Sequence, residues 1–593
     1  MTAVFTGAGI SGDQPAALPR GFGLRDAVLR TMHEAARDAL GPLVTGEQLE
    51  ELCGAAYKLE VVLGRLWGTV GPDALDCVLA LRVDVPNEAH MLSALHLLGG
   101  GTHVTVNFDV GIEIAYDLIR GAAELPPGTP SDYHDALALW RAAAPPGSPA
   151  LRTVSSHEEF AAWEARGRPA ALLKVHGGLT REQDSLADVV VVDIEELGQL
   201  TAERAAAVDG LGAAPRLMIT GYSGGDPDVY GPLLAAAGRT SATWACLELP
   251  AGSVVPGDAR DHGVDLVLGR PRGLAATALR ELLGTPAPPP WPSAALTGEG
   301  FPERFERWQK SLRAAHPASS IAESWAWLLA DLGELDLAVA MFAKLGSTLR
   351  HAEVVYNRAR GDDREVARRM FREVGAAAPD AATRLHCLLR LGDIARGRAN
   401  RQARGVRVMA HLAESYLRAV QVLAATRGGR RQPEEGGDAY RLLQQTSLRL
   451  LEQLATAGPR PAWPVIAVCC GVAARWGDRA ARLVRNGNRL ALIRQHRGLL
   501  RSLAALLRGR PAPADVRADM RALRATYRAA DDLPGAGNCT VTLAVLARAD
   551  GDRPGARALL GEALAEYTAG RPDGRPLASG EALLKVMSRL VER

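Results

Sequence analysis

The sequence predicts an open, mostly parallel α/β sheet over the first half of the chain and an all-helical array over the second. Three observations carry this expectation. Short apolar, β-rich runs alternate with helical patterns before residue 284, a Pro-rich break follows at Gly284 to Pro292, and the strand signal disappears after Phe301. At 593 residues the chain is longer than one hydrophobic core serves, so several domains are expected.

The strand candidates are Ala3 to Thr6, His103 to Asn107, Ala170 to Val175, Val189 to Asp193, Arg216 to Thr220, Thr243 to Glu248 and Val264 to Leu268. Strands separated by helices build a sheet covered on both faces, and ligands gather at the carboxyl ends of its strands. Two stretches rich in Pro, Gly and Ala, Leu125 to Pro130 and Ala144 to Pro149, flank a helical piece around Tyr133 to Ala142, which reads as an insertion over the sheet. The run from Gly284 to Pro292 cannot continue a helix and favours an extended spacer. Domains are therefore expected over 1–283 and 303–593, joined by a linker over 284–302. In the second half Gly333, Ala338 and Phe342 stand where a helix pair needs a turn glycine, a small contact residue and a large packing residue. Gly551, Ala556 and Leu560 repeat that spacing, Gly361, Ala367 and Phe371 miss it by one residue, and Leu391-Gly392 with Ala395 fits the middle of a first repeat helix. This array resembles degenerate tetratricopeptide repeats, and a generic α-solenoid accounts for the same small residues at helix crossings.

Composition narrows the function classes. A net charge of +2 calls for no polyanionic partner, and the Arg-rich run from Arg475 to Arg501 reads as a solvated helix face, so nucleic acid is not expected. The basic residues are almost all arginine, with lysine only at 58, 174, 310, 344 and 585. Seven cysteines without a CxxC pair offer neither a zinc ribbon nor a disulfide framework, so no metal is expected. Neither a leader-like start nor an apolar stretch of about 18 residues is visible, which points to the cytoplasm and away from a membrane.

Gly7-Ala8-Gly9-Ile10-Ser11-Gly12 follows the first strand and satisfies GxGxxG, a Rossmann-like string whose glycines let backbone amides approach a pyrophosphate. A dehydrogenase would need a second strand ending in an acid about 20 residues later. Here Leu24 to Leu66 reads as helix throughout, so hydride transfer is not expected. The segment GAGIS with Ala17-Leu18-Pro19 instead resembles the opening motif of the sirtuin family, and three further blocks follow in order. Pro86-Asn87 with His90, then Thr105-Val106-Asn107-Phe108-Asp109, resemble the PN..H and TxNxD stretches, with Glu113 continuing the NFD...E form of the bacterial sirtuin-like branch. Lys174-Val175-His176-Gly177 resembles the catalytic histidine block, and Gly221-Tyr222-Ser223-Gly224-Gly225-Asp226 the nucleotide-binding GYSxxD element. The resemblance covers roughly the first 283 residues.

Breaking the bond between nicotinamide and ribose expels a neutral base, so no acid is needed on the leaving group. The developing oxocarbenium calls for a polar group that orients water or a ribose hydroxyl and for a base active near neutral pH. By resemblance, Asn107 would orient, His176 would be the base and Asp109 would hold the nicotinamide riboside end. Gly7, Ala8, Gly9, Ser11, Gly221 and Ser223 would bind ribose or phosphate. Taken alone, an Asn before a loop commonly caps a turn, serines commonly cap helices and isolated histidines are commonly structural; His90, His103, His134 and His157 are read that way. The four-cysteine zinc module of deacylating sirtuins has no counterpart, and Val106 stands where they commonly carry glutamine. The resemblance therefore implies an NAD hydrolase of the branch used in bacterial antiphage defence, with NAD as substrate and no zinc. The helical half would respond to a phage or other protein trigger or assemble copies of the chain. A deacylase or ADP-ribosyltransferase, and a non-catalytic NAD or ADP-ribose scaffold, are the alternatives.

Overall fold

A computed structural model describes residues 2–55, 58–179, 200–246, 255–269, 273–284, 288–296, 299–401, 406–429, 433–457, 463–484, 487–529, 532–569, 584 and 587–588. The strand expected at Val189 to Asp193 lies outside the described residues, as do 285–287 of the Pro-rich break. The chain divides into two compact units, Met1–Gly346 and Ser347–Arg593.

The first unit is built on one all-parallel sheet. Its strands are β1 (Thr2–Thr6), β2 (Thr102–Thr105), β3 (Thr153–Val154), β4 (Leu172–Lys174), β5 (Arg216–Thr220), β6 (Ser241–Cys246) and β7 (Asp265–Leu268), in the order β3-β4-β2-β1-β5-β6-β7. Two-residue β3 was not expected, since it has no apolar run of its own and borrows its place from pairing with β4. From β1 the chain first adds strands on one side, then returns across β1 to lay β5 on the other. That reversal leaves a crevice at the carboxyl ends of β1 and β5, the usual ligand position in such sheets.

The helices of this unit are α1 (Gly21–Leu40), α2 (Gly46–Gly54), α3 (Leu59–Val70), α4 (Glu88–Leu98), α5 (Gly111–Arg120), α6 (Ser131–Ala143), α7 (His157–Ala165), α8 (Ala202–Gly210), α9 (Pro227–Ala237), α10 (Val255–Asp261), α11 (Leu274–Leu283), α12 (Phe301–Ala315), α13 (Ala318–Asp331) and α14 (Leu335–Leu345). Alternate strand residues bury into opposite layers. Val4, Leu172 and Met218 meet Met91 of α4, Ile112 of α5, Trp140 of α6 and Leu279 of α11. Phe5, Leu173, Ile219 and Trp244 meet Val208 of α8 and Val229 and Leu233 of α9.

The expected single helix over Leu24 to Leu66 is broken. Gly41–Leu43 forms a 3-10 turn carrying Pro42, and Thr45 starts α2 with a reciprocal capping box to Gln48. A second break before α3 brings Lys58 and Glu60 to the strand-end crevice. α13 packs on α1 and α3, and α12 packs on the 3-10 segment Gly71–Leu81. Trp308 Nε1 donates to Asp73 O, and Arg65 pairs with Asp331 at 2.7 Å. These contacts carry the first compact unit past the Pro-rich break to Gly346.

The described part of that break is extended but docked. Trp291 is buried, its Nε1 donates to Pro86 O, and its ring meets Tyr133 and Trp140 edge-on. Trp140 Nε1 donates to Pro289 O, and Tyr133 Oη donates to Ala294 O. The helix expected as an insertion, α6, is thus the seat of the Pro-rich segment.

The described residues of the second unit form helices α15 (Thr348–Arg358), α16 (Asp363–Ala377), α17 (Ala381–Arg401), α18 (Val406–Ala425), α19 (Pro433–Ala457), α20 (Trp463–Leu483), α21 (Gly487–Leu507), α22 (Ala514–Ala529), α23 (Leu533–Ala549) and α24 (Arg553–Thr568). Each packs on the next, and α17, α19, α21 and α23 also touch in series. Gly361 and Gly551 hold positive-φ turns between helices, and Ala367, Phe371, Ala556 and Leu560 are buried at the crossings that follow. Gly333, Ala338 and Phe342 do the same between α13 and α14, inside the first unit. Among the described residues no helix is long and apolar enough to cross a membrane.

Because the rings of Tyr133 and Trp140 meet Trp291 and its Nε1 is hydrogen-bonded, Trp291→Ala should destabilise the first unit by about 3–5 kcal/mol. A lower denaturation midpoint for that unit is expected; an unchanged midpoint would show that the Pro-rich segment is not anchored there.

Candidate active site

The carboxyl ends of β1, β2, β4 and β5 open on a cavity of about 320 Å³. Ala8, Gly9, Ser11, Asn107, Asp109, His176, Gly221 and Ser223 line it, and Gly7 sits behind them. The four sequence blocks therefore converge on one cleft.

The glycines do something other than present amides to a phosphate. Gly7 N–H donates to Thr220 O at 3.1 Å and Gly9 N–H to Gly221 O at 2.8 Å, so both amides already have protein acceptors. A Cβ on Gly7 would lie 2.7 Å from Gly221 O, and one on Gly9 would lie 2.8 Å from Gly221 Cα. Gly221, at φ +66°, would bring its own Cβ within 2.6 Å of Ile10 N. The loops after β1 and β5 thus cross backbone on backbone, which side chains would forbid. Tyr222 braces the crossing by stacking on Trp244, whose Nε1 donates to Tyr222 O at 2.9 Å.

Ser11 is the hub of the first half of the site. Its hydroxyl donates to Asp109 Oδ2 at 2.7 Å and accepts from Asn107 Nδ2 at 3.2 Å. His90 Nε2 stands 2.9 Å from the same oxygen. Asn87 N–H lies 3.3 Å from His90 Nδ1, which makes Nδ1 the acceptor and leaves Nε2–H to donate to Ser11. Burial lowers the His90 pKa against the raising effect of Asp109, in keeping with that neutral ring. Asp109 Oδ1 accepts Gly111 N–H at 2.9 Å. With both lone pairs and its proton engaged, Ser11 serves to orient Asn107 rather than to meet a ligand. The result is a buried Asn107 whose Nδ2 is fixed and whose Oδ1 has no hydrogen-bond partner among the described residues.

Lys174, at 1% exposure, underpins the second half. Its ammonium donates to Glu113 Oε1 at 2.8 Å, Asp109 O at 2.7 Å and Leu179 O at 2.8 Å, tying the loop after β2 to the loop after β4. All three donor hydrogens are engaged, so the charge is compensated and its geometry set. The residue pair singled out by the NFD...E and KVHG blocks, Glu113 and Lys174, is therefore an ion pair beneath the cleft.

His176 follows β4 by two residues, with Nε2 3.1 Å from Asp228 Oδ2 and Nδ1 4.0 Å from Glu60 Oε1. Burial acts to lower its pKa, but the Asp228 hydrogen bond and the charges of Asp226, Asp228 and Glu60 outweigh it and hold the imidazole above its usual value. Burial raises the Asp228 carboxyl, yet His176 and Lys58 bring it down to about 2. Lys58 Nζ donates to Asp226 Oδ1 at 2.9 Å and lies 3.5 Å from Asp228 Oδ1. Oxygen and nitrogen atoms of Glu60, His176 and Asp226 lie within 4.8 Å of one another, a spacing a metal ion could use. The Lys58 ammonium already supplies the cation that meets Asp226 there.

Sequence reasoning missed His90 as part of this network, and it missed Asp228, Lys58 and Glu60. Asp228 had a signal, an acid in the first turn of the helix that follows the GYSGGD block, where the helix dipole favours negative charge. Lys58 and Glu60 had none, because they come from a helix remote in sequence from every motif.

Asp228→Asn should remove the charge that lifts His176 and lower its pKa from a value above 6.5. An NMR titration of the imidazole reads this directly, and an unchanged titration would contradict the pairing. No protein-family model matches the chain, and no curated protein matches it.

Proposed function

We propose that the first unit hydrolyses NAD, releasing nicotinamide and ADP-ribose. The observation that carries this reading is the buried Asn107 Oδ1, without a hydrogen-bond partner among the described residues, in the same cleft as His176. A buried acceptor left without a donor costs about 1–3 kcal/mol, and a ligand hydroxyl or water would satisfy it. A plain binding module has no use for an oriented amide in one cleft with a histidine whose Nε2 is fixed on a carboxylate.

The cleft's charge suits the reaction. NAD carries a cationic pyridinium, and its departure leaves an oxocarbenium-like ribose. Asp109 lines the cleft and Asp228 stands against His176, and preorganised carboxylates favour a cation that persists through the transition state. Asn107 Oδ1 accepts a hydrogen bond from the attacking water or a ribose hydroxyl. His176 takes the proton, with Asp228 holding its Nε2–H and thereby its orientation, as a carboxylate does for a catalytic histidine elsewhere. The sirtuin-like order of the motifs supports the same substrate.

The second unit, on this reading, is a degenerate tetratricopeptide-like array that senses a protein trigger or assembles copies of the chain. An uncontrolled NAD hydrolase is toxic, so the array would bias the NAD unit between resting and active states, a population shift that requires different trigger affinity for the two. The role proposed for the whole is an antiphage effector that depletes NAD in the infected cell.

Asn107→Ala and His176→Ala should each lower NAD turnover by about 100-fold or more while preserving the circular dichroism of the parent. The parent rate should rise with pH through a value above 6.5, because the raised His176 must lose its proton before it can act as a base. Purified full-length protein is incubated with NAD and the products are resolved chromatographically. Full turnover by either variant would overturn the assignment.

A further inference from the structure

Glu60 is absent from every motif of the sequence, yet α3 delivers it into the cleft from a helix that belongs to neither loop of the β1–β5 crossing. Resting on the hydrolase reading above, we propose that Glu60 is a catalytic residue that, together with His176, seats the nucleophilic water. The supporting geometry is the gap between them. Glu60 Oε1 and His176 Nδ1 are 4.0 Å apart, too far to bond each other. A single water can donate a hydrogen bond of about 2.8 Å to each, with an angle of roughly 90° at its oxygen, close to what a water molecule offers.

The tautomer agrees. With Nε2–H donating to Asp228 Oδ2 at 3.1 Å, Nδ1 carries the lone pair and faces Glu60. His176 alone would accept from a water in many orientations, whereas the second acceptor fixes one. The groups facing Glu60 are His176 after β4, Asp226 at the start of α9 and Lys58 on its own segment. Burial raises the Glu60 carboxyl, His176 lowers it and Asp226 raises it again. Glu60 and His176 are thus two titratable groups that act on each other across the gap.

In the step itself the C1′–N bond breaks first, its electron pair leaving on neutral nicotinamide and C1′ of the ribose becoming an oxocarbenium-like cation that nicotinamide can recapture. The water oxygen then bonds to C1′ as its O–H bond breaks and the proton passes to His176 Nδ1. Glu60 remains a hydrogen-bond acceptor throughout, and the proton on His176 returns to solvent. Loss of Glu60 therefore impairs the capture of water without impairing the departure of nicotinamide.

Full-length protein and its Glu60→Gln and Glu60→Asp variants are compared for NAD hydrolysis and for exchange of labelled nicotinamide into NAD. Glu60→Gln should lower the hydrolytic kcat by about 100-fold, leave KM within about threefold, and retain nicotinamide exchange. Glu60→Asp should recover part of the hydrolysis, which separates a carboxylate requirement from a folding defect. Hydrolysis and exchange falling together, or neither changing, would overturn the role of Glu60 while leaving NAD hydrolysis by the parent intact. A parent inert toward NAD would instead remove the hydrolase reading, and this inference with it.

Discussion

Two backbones cross in contact where β1 and β5 end, and the rest of the site hangs from that crossing. Gly7 and Gly9 on one loop and Gly221 on the other leave no room for a Cβ, since each added carbon would fall within 2.8 Å of the facing chain. From the first loop the chain proceeds to Ser11, whose hydroxyl fixes Asn107, Asp109 and His90. From the second it proceeds through Tyr222 to α9, whose first turn holds Asp228 against His176. A shift of one loop against the other would therefore move the amide and the imidazole apart. Glycine at these positions secures the relative placement of two chemical groups, a different task from cradling a phosphate.

Electrostatics divides the cleft into a buried, paired floor and a charged rim. Lys174 and Glu113 are buried with nearly full hydrogen bonding, and breaking such a pair by removing one partner costs about 3–5 kcal/mol because the other charge is stranded. On the rim, His176, Asp228, Asp226, Lys58 and Glu60 share charge over short distances and keep some solvent access. Carboxylates there raise the basicity of His176.

Much of this was legible in the sequence, for identifiable reasons. Strands buried on both faces read as apolar runs, so the sheet was visible except for two-residue β3. Asn107, Asp109 and His176, singled out by the resemblance to the sirtuin motifs, lie just beyond those runs and line the cleft. The glycine string was found too, but its spacing alone does not say whether its amides face a ligand or another loop. The helical stretch from Leu24 hid the breaks set by Pro42 and the Thr45 capping box, and with them the route by which Lys58 and Glu60 reach the cleft. Pro-rich sequence implies an extended chain and is silent on whether it docks; Trp291, one large aromatic among prolines, was the clue that it does.

The most direct measurement is a crystal structure of the Asn107→Ala variant soaked with NAD, in which cleavage is slowed and the substrate can be seen. If the cleft is an NAD-cleaving site, the nicotinamide ribose will lie between position 107 and His176, with C1′ facing the gap between His176 and Glu60. Density for NAD outside the cleft, or for the adenosine end at His176, would contradict it.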